Sequence, residues 1–123
     1  PLIVEDSGFF IDALKGFPGP YSAYVYKTIG IDGVLRVMAG IKDRKVTMKS
    51  GVVYTDGKEM RAFLGEVNGT VPYAKKGTEG FGYDPIFLPE GKEKSFGEDA
   101  KYKNKVSHRA QSLKMFCEWY TKR

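Results

Sequence analysis

The side chains best suited to chemistry lie in three segments, and the first is near the start of the chain. Asp6 follows the apolar run Leu2-Ile3-Val4 and precedes Ser7-Gly8. A carboxylate at the end of a strand can bind Mg²⁺ or accept a proton from water. Asp-Ser-Gly is also a common turn sequence, and spacing alone favours the turn. Glu5 is expected on the opposite face of the strand, where it cannot easily share a site with Asp6.

The second segment is Phe81-Gly82-Tyr83-Asp84-Pro85, which combines two aromatic rings and one acid. Aromatic faces stack on bases, and Gly82 lets a planar ligand approach the backbone. Asp84 can accept a hydrogen bond from a base or a sugar. The alternative interpretation is a strand entry with core aromatic residues and a turn before Pro85.

The third segment is Ser107-His108-Arg109, at the predicted start of the last helix. The free N–H groups of a helix N-terminus favour an anion or a carbonyl oxygen. The alternative is a capping serine followed by two surface residues. Adjacent positions on a helix diverge, which argues against a Ser-His nucleophile pair. Lys103 can reach a phosphate, or it belongs to a solvated basic loop.

The elements that position these residues are predicted from hydrophobic periodicity and turn signals. Leu2-Ile3-Val4 predicts a buried strand that is broken at Ser7-Gly8 and followed by a second short run, Phe9-Phe10-Ile11. Ser22 and Asp32 are predicted to cap two helices that end at Gly30 and Gly40.

The centre of the chain predicts a β-hairpin. Residues from Lys45 to Tyr54 alternate in polarity, Asp56-Gly57 is a turn signal, and a return strand runs from Met60 to Val67. Ile86-Phe87-Leu88 predicts a further strand. Ser107 is predicted to cap a last helix whose apolar face consists of Ala110, Leu113, Phe116, Cys117 and Tyr120. The pattern indicates one mixed α and β unit.

Composition narrows the class of protein without defining its activity. The chain has 123 residues, a net charge of +5 and one cysteine, and its longest apolar runs are too short for a membrane span. We expect a soluble domain with no signal peptide, and a half-buried Cys117 thiol in a reducing compartment. A basic surface can attract nucleic acid or a small polyanion such as a nucleotide, and the net charge alone does not decide between them.

Four segments in this order resemble the inosine-triphosphate pyrophosphatase family. They are Val4-Glu5-Asp6-Ser7-Gly8, Gly16-Phe17-Pro18-Gly19, Phe81-Gly82-Tyr83-Asp84-Pro85, and Lys103-Asn104 through Ser107-His108-Arg109. Each motif alone is weak, whereas the ordered set is specific and covers nearly the whole chain. The resemblance implies an α/β fold with a long bent mixed sheet flanked by helices. It also implies that residues 1–123 form one domain, corresponding to the C-terminal two thirds of the family fold without its N-terminal strands.

The resemblance further implies hydrolysis of non-standard purine nucleoside triphosphates to the monophosphate and pyrophosphate. Asp6 corresponds to the proton acceptor and Mg²⁺ ligand of the family. The substrate-binding residues implied are Ser7, Phe81, Gly82, Tyr83, Asp84, Lys103, His108 and Arg109. A cytoplasmic homodimer with no membrane or nucleic-acid partner is expected.

Two other functions remain open at this stage. One is a nucleotide-binding fragment without activity, because the family's phosphate-binding loop and second metal ligand have no counterpart in this sequence. The other is a basic nucleic-acid-binding module, which predicts strongly salt-dependent binding to oligonucleotides. The absence of a clustered basic stripe argues against the second.

Overall fold

The computed structural model describes residues 1–123, which form one antiparallel sheet and four α-helices. The strands are β1 (Leu2–Ile11), β2 (Pro18–Gly19), β3 (Lys45–Thr55), β4 (Met60–Thr70) and β5 (Leu88–Pro89). The helices are α1 (Ser22–Thr28), α2 (Gly30–Val37), α3 (Ala100–Val106) and α4 (His108–Lys122), with 3₁₀ turns at Asp12–Leu14 and Asp84–Ile86. No helix is both long enough and apolar enough to cross a membrane.

The strand order is β2-β1-β3-β4-β5, and every neighbouring pair is antiparallel. The predicted α/β class is confirmed, although the sheet of this chain contains only antiparallel pairings and is not mixed. The predicted hairpin explains part of this, because a tight turn can join only antiparallel strands. Asp56 fixes that turn by accepting hydrogen bonds from the N–H groups of Lys58 and Glu59 at 2.9 Å each.

One face of the sheet carries the helices and the other is open. Along β3 the side chains of Val46, Met48, Ser50, Val52 and Tyr54 are buried, while the intervening residues are more exposed. This period of two is the signature of a strand with one covered face. A larger core cluster around Phe9, Met38 and Phe87 lies under α1 and α2, and a smaller cluster of Val52, Tyr54 and Phe116 lies under α4.

The start of β1 differs from its prediction. Leu2, Ile3 and Val4 were expected to be buried, but they are 59%, 50% and 52% exposed. In this region β1 pairs only with β3, because β2 contacts it solely at Phe9 and Phe10. The expected break at Ser7-Gly8 is also absent, since the ladder with β3 continues through both residues. Pairing with a long neighbouring strand outweighs the local turn preference.

The two predicted capping residues of the first helices have other roles. Ser22 lies inside α1, where its hydroxyl accepts from Phe9 N–H at 2.8 Å and donates to the Gly19 carbonyl at 2.7 Å. Asp32 lies in the first turn of α2, which begins at Gly30, and it pairs with Lys75. Tertiary partners therefore take the side-chain oxygens that local sequence assigned to caps.

The prediction for the last helix is confirmed at its start and for Phe116 on its buried face, and it is wrong for Leu113, Cys117 and Tyr120. Ser107 caps α4 by accepting a hydrogen bond from Ala110 N–H at 3.1 Å. The buried residues of α4 are Ser112 and Phe116, whereas Leu113 and Tyr120 are largely exposed and so is the Cys117 thiol. The hydroxyl of Ser112 lies 3.0 Å from that of Ser50, so the buried face of α4 includes a polar contact that apolar periodicity cannot predict.

The strand predicted at Ile86-Phe87-Leu88 is also corrected. Asp84–Ile86 forms a 3₁₀ turn, and only Leu88–Pro89 joins the sheet. Pro85 stands at the start of that turn, where its fixed φ suits a helical conformation and its missing N–H costs no hydrogen bond.

Candidate functional site

A cavity of about 610 Å³ opens between β1, the segment around Phe81 and the first turn of α4. This volume is in the range of small-molecule sites. Eight of the nine residues selected from the sequence line it, namely Ser7, Phe81, Gly82, Tyr83, Asp84, Lys103, His108 and Arg109. The structure thus brings Ser7 together with two segments that lie more than 70 positions further along the chain.

Asp6 is the one selected residue that does not line this cavity. It is exposed and lies opposite Gly51 in the β1–β3 ladder. Its neighbours Glu5 and Ser7 face α4, so the alternation of the strand directs Asp6 to the open face of the sheet. The structure therefore places Asp6 outside the cavity, on the opposite face of the strand that carries Ser7.

The first turn of α4 is held unusually close to β4. A Cβ atom placed on Gly65 would lie 2.1 Å from the carbonyl oxygen of His108, so only glycine permits this approach. Gln111 fixes the same contact by accepting from Glu66 N–H at 3.1 Å and donating to the Glu66 carbonyl at 2.8 Å. Neither Gly65 nor Gln111 was selected from the sequence, and the glycine inside a strand pattern was the only available signal.

Asp84 and Lys103 form a buried ion pair at the floor of the cavity. Their side chains are 3% and 11% exposed, and Lys103 Nζ donates to Asp84 Oδ2 at 2.5 Å. Asp84 also accepts from Phe81 N–H at 2.9 Å, which fixes the backbone of that segment. The sequence prediction allowed a free Lys103 that reaches a phosphate, whereas here its charge is balanced by Asp84.

Phe81 presents the open aromatic surface of the cavity, because it is 63% exposed. Lys103 Nζ lies 4.1 Å and Arg109 Cζ lies 5.4 Å from the centre of its ring. These cation–π contacts orient the ring while leaving much of it uncovered. Phe81 is thus suited to stack on a planar ligand.

Tyr83 lines the cavity as a fixed wall. Its ring stacks on Phe9 with centroids 4.5 Å apart and an interplanar angle of 10°. Its hydroxyl donates to the Ser22 carbonyl at 2.7 Å. Burial raises the pKa of Tyr83 to about 12, so the hydroxyl stays protonated. Tyr83 therefore has one ring face covered by another aromatic ring, whereas no aromatic ring stacks on Phe81.

His108 is uncharged at neutral pH in this setting. Burial, followed by the nearby charges of Arg109 and Lys103, lowers its pKa to about 4 in spite of the opposing effect of Glu5. Its Nδ1 atom is buried and has no hydrogen-bond partner in the protein. An unpaired buried nitrogen of this kind costs free energy of folding.

Arg109 pairs with Glu5, which was expected only on the face of β1 opposite Asp6. Arg109 Nε donates to Glu5 Oε1 at 3.1 Å. With Lys103 paired to Asp84 and His108 neutral, the formal charges around the cavity cancel. A neutral polar ring suits such a cavity better than a triphosphate, which carries several negative charges.

Comparison with known proteins agrees with the resemblance seen in the sequence. The dITP/XTP pyrophosphatase of Pyrococcus horikoshii is 53% identical over 121 residues, which are 97% of this chain and 64% of that protein. The dITP/XTP pyrophosphatase of Methanopyrus kandleri is 51% identical over 122 residues, covering 98% of this chain and 65% of its own length. The chain thus spans slightly less than two thirds of these relatives.

Solved structures share the fold. The Ham1 protein of Staphylococcus aureus superposes with a TM-score of 0.88 at 29% identity, over 97% of this chain and 66% of that one. The nucleoside-triphosphatase / dITP/XTP pyrophosphatase of Mycobacterium abscessus superposes with a TM-score of 0.75 at 31% identity, over 93% and 63%. The sequence profile described as the Ham1 family matches residues 1–119. The chain therefore belongs to the Ham1 family.

Proposed function

We propose that this chain carries the base-binding site of a pyrophosphatase that converts inosine and xanthine nucleoside triphosphates to the monophosphate and pyrophosphate. The observation that carries the proposal is the charge-balanced cavity, in which an open Phe81 ring faces the first turn of α4. The names of the relatives support the substrate class, since they are described as dITP/XTP pyrophosphatases.

Selection of the base follows from the donors at this end. Hypoxanthine and xanthine carry a 6-oxo acceptor where adenine carries a 6-amino donor. Arg109 and the N-terminus of α4 supply donors, and a neutral His108 supplies one N–H whose position depends on its tautomer. A site with fixed hydrogen-bonding groups rejects an analogue that leaves them unpaired. Inosine nucleotides are therefore preferred over adenosine nucleotides.

The phosphate end is assigned to the side of β1 that carries Asp6. The cavity itself has no surplus positive charge, so the polyphosphate extends beyond it. Asp6 is exposed and free of any ion pair within 4.0 Å, which leaves its carboxylate available to accept a proton from the attacking water.

The fit of the chain to Mg²⁺ rests on Asp6 alone. No group of three or more His, Cys, Asp or Glu side chains is arranged to hold a metal ion. Mg²⁺ commonly keeps several waters and takes one or two carboxylates together with substrate phosphates, so a single carboxylate suits it. A bound divalent ion supplies charge neutralisation of the phosphates.

Phosphate release tests this function. Inosine, xanthosine and adenosine triphosphates are each incubated with the chain and Mg²⁺. Inorganic pyrophosphatase is then added, and the phosphate released is measured with malachite green. Asp6→Asn should remove most of the rate while the thermal unfolding curve stays unchanged. Asp12→Asn, at an exposed acid that follows β1, is the matched control and should retain full activity. Equal rates with adenosine triphosphate would contradict the proposed specificity.

One observation favours the alternative of nucleotide binding without turnover. Asp6 faces away from the cavity, and it has no second carboxylate beside it on the open face of the sheet. This alternative predicts that the chain binds inosine monophosphate and the triphosphate without Mg²⁺, and that no phosphate is released. The same assay, combined with calorimetric binding, distinguishes the two functions.

The proposed assembly is a homodimer in a reducing, cytoplasmic setting. Towards the turn of the β3–β4 hairpin, away from Asp6, the open face of the sheet exposes Met60 at 71% and Leu2 at 59%. Clusters of exposed apolar residues of this kind are typical of protein interfaces. The single exposed Cys117 suits a reducing compartment. Light scattering coupled to gel filtration tests the dimer, and Met60→Glu should yield a monomer.

A further inference from the structure

Glu5 joins three other polar side chains at the edge of the cavity. Its Oε1 atom accepts from the Ser7 hydroxyl at 2.6 Å, from Arg109 Nε at 3.1 Å and from the Ser50 hydroxyl at 3.5 Å. The donors come from β1, α4 and β3, so one carboxylate oxygen connects three elements. Glu5 also directly precedes Asp6 on β1, with its side chain on the opposite face.

The same network also reaches the backbone of Arg109, through Ser50 on β3 and Ser112 on α4. The hydroxyls of Ser50 and Ser112 are 3.0 Å apart, and the Ser112 oxygen lies 3.2 Å from the Arg109 carbonyl oxygen, so its one proton can serve either contact. Ser50 and Ser112 are fully buried, at 1% and 0% exposure. The backbone of Arg109 is therefore fixed from within the protein, and Glu5 fixes its side chain from the edge.

The guanidinium of Arg109 has N–H donors that are not used in hydrogen bonds within the protein. Arginine carries five N–H donors in a planar fork, and Glu5 contacts the one on Nε. The four on the terminal nitrogens make no hydrogen bond within the protein, and the residue lines the cavity. Phe81 lies on the other side, with its ring centre 5.4 Å from Arg109 Cζ.

We propose that Glu5 is a positioning residue for base recognition, which holds Arg109 through Nε so that the terminal nitrogens face the 6-oxo group of a purine. This inference rests on the proposed function. The Arg109 side chain is 42% exposed, so without Glu5 it samples several rotamers. A guanidinium that is fixed in advance loses less entropy when the base binds.

The ionisation of Glu5 is consistent with this role. Burial alone raises the pKa of Glu5, but the hydrogen bond from Ser7 and the charge of Arg109 outweigh it and lower the pKa from its ordinary value. The carboxylate is therefore charged at neutral pH, and its hydrogen bond to Arg109 is the stronger, charge-assisted type.

Calorimetric binding of inosine monophosphate and adenosine monophosphate tests the inference without requiring catalysis. Glu5→Gln should weaken binding of inosine monophosphate by roughly five- to thirty-fold, because removing one partner of a polar network changes binding by about that factor. Binding of adenosine monophosphate should change less, so the ratio of the two affinities falls. Glu118→Gln, an exposed acid on α4, makes the same charge change away from the cavity and should leave both affinities unchanged.

A double-variant comparison separates positioning from a structural role. In an Arg109→Ala background, Glu5→Gln should cause no further loss of inosine monophosphate binding, since its target is gone. Glu5→Asp keeps the charge and should restore part of the affinity ratio. An equal loss for both nucleotides, or an additive loss in the Arg109→Ala background, would overturn the inference. If the unaltered chain binds neither nucleotide, the proposed function fails as well.

Discussion

The buried pair of Asp84 and Lys103 yields the sharpest prediction about stability. Both side chains are almost inaccessible, so removing either partner leaves the other as an unpaired charge in the protein interior. Such a loss costs about 3–5 kcal/mol. We therefore expect Lys103→Met and Asp84→Asn each to lower the free energy of unfolding by this amount. At a urea m value of about 1.5 kcal/mol/M, the midpoint falls by about 2–3 M.

Urea unfolding followed by far-UV circular dichroism measures both single variants and the double variant Asp84→Asn/Lys103→Met. The double variant leaves no charge behind, so its cost should be well below the sum of the single costs. The exposed pair of Lys75 and Asp32, 3.2 Å apart with side chains 52% and 65% exposed, is the control. Lys75→Met should change stability by less than about 1 kcal/mol. The reasoning would be refuted if Lys103→Met and Asp84→Asn each changed the free energy of unfolding as little as Lys75→Met does, and if their effects were additive in the double variant.

Three further predictions concern the cavity and the first turn of α4. Gly65→Ala should lower the free energy of unfolding by about 1–3 kcal/mol and weaken nucleotide binding, because the added Cβ would displace His108. Gly51→Ala is the control, since a Cβ at Gly51 would lie 3.4 Å from the nearest atom. Equal urea midpoints for the two variants would contradict the prediction. Phe81→Leu should weaken inosine monophosphate binding by about 1–3 kcal/mol in calorimetry with little loss of stability, and unchanged affinity would show that the ring does not stack on the base. Because the pKa of His108 falls from 6.5 to about 4 on folding, the unfolded chain binds more protons between these values. Stability should therefore fall by up to about 3 kcal/mol as pH drops from 6.5 to 4, and His108→Gln should remove most of that slope in urea titrations.

The parts of the fold that the sequence predicted are those with short-range physical causes. Alternating polarity in β3 and the Asp56-Gly57 turn define the hairpin, because both act over a few residues. The capping of α4 by Ser107 is local in the same way. By contrast, the exposure of the start of β1 depends on which strands pair with it, and no local pattern contains that information.

In the candidate site, too, the sequence motifs identified residues, whereas the partners of those residues depend on the tertiary structure. The ordered motifs selected eight of the residues that line the cavity, but they carried no information about partners. The pairing of Glu5 with Arg109 joins positions 104 apart, and that of Asp84 with Lys103 joins positions 19 apart. Gly65 was visible as a glycine within a strand, yet the helix that requires it lies more than 40 positions further on. Such contacts are consequences of the completed tertiary structure.

The position of a bound purine tests the central claim most directly. A crystal structure of the chain with inosine monophosphate should show the purine ring against Phe81 and its 6-oxo oxygen within hydrogen-bonding distance of His108 or Arg109. The phosphate should point out of the cavity towards β1. A nucleotide bound with its phosphate at His108 and Arg109, or bound outside this cavity, would contradict the account.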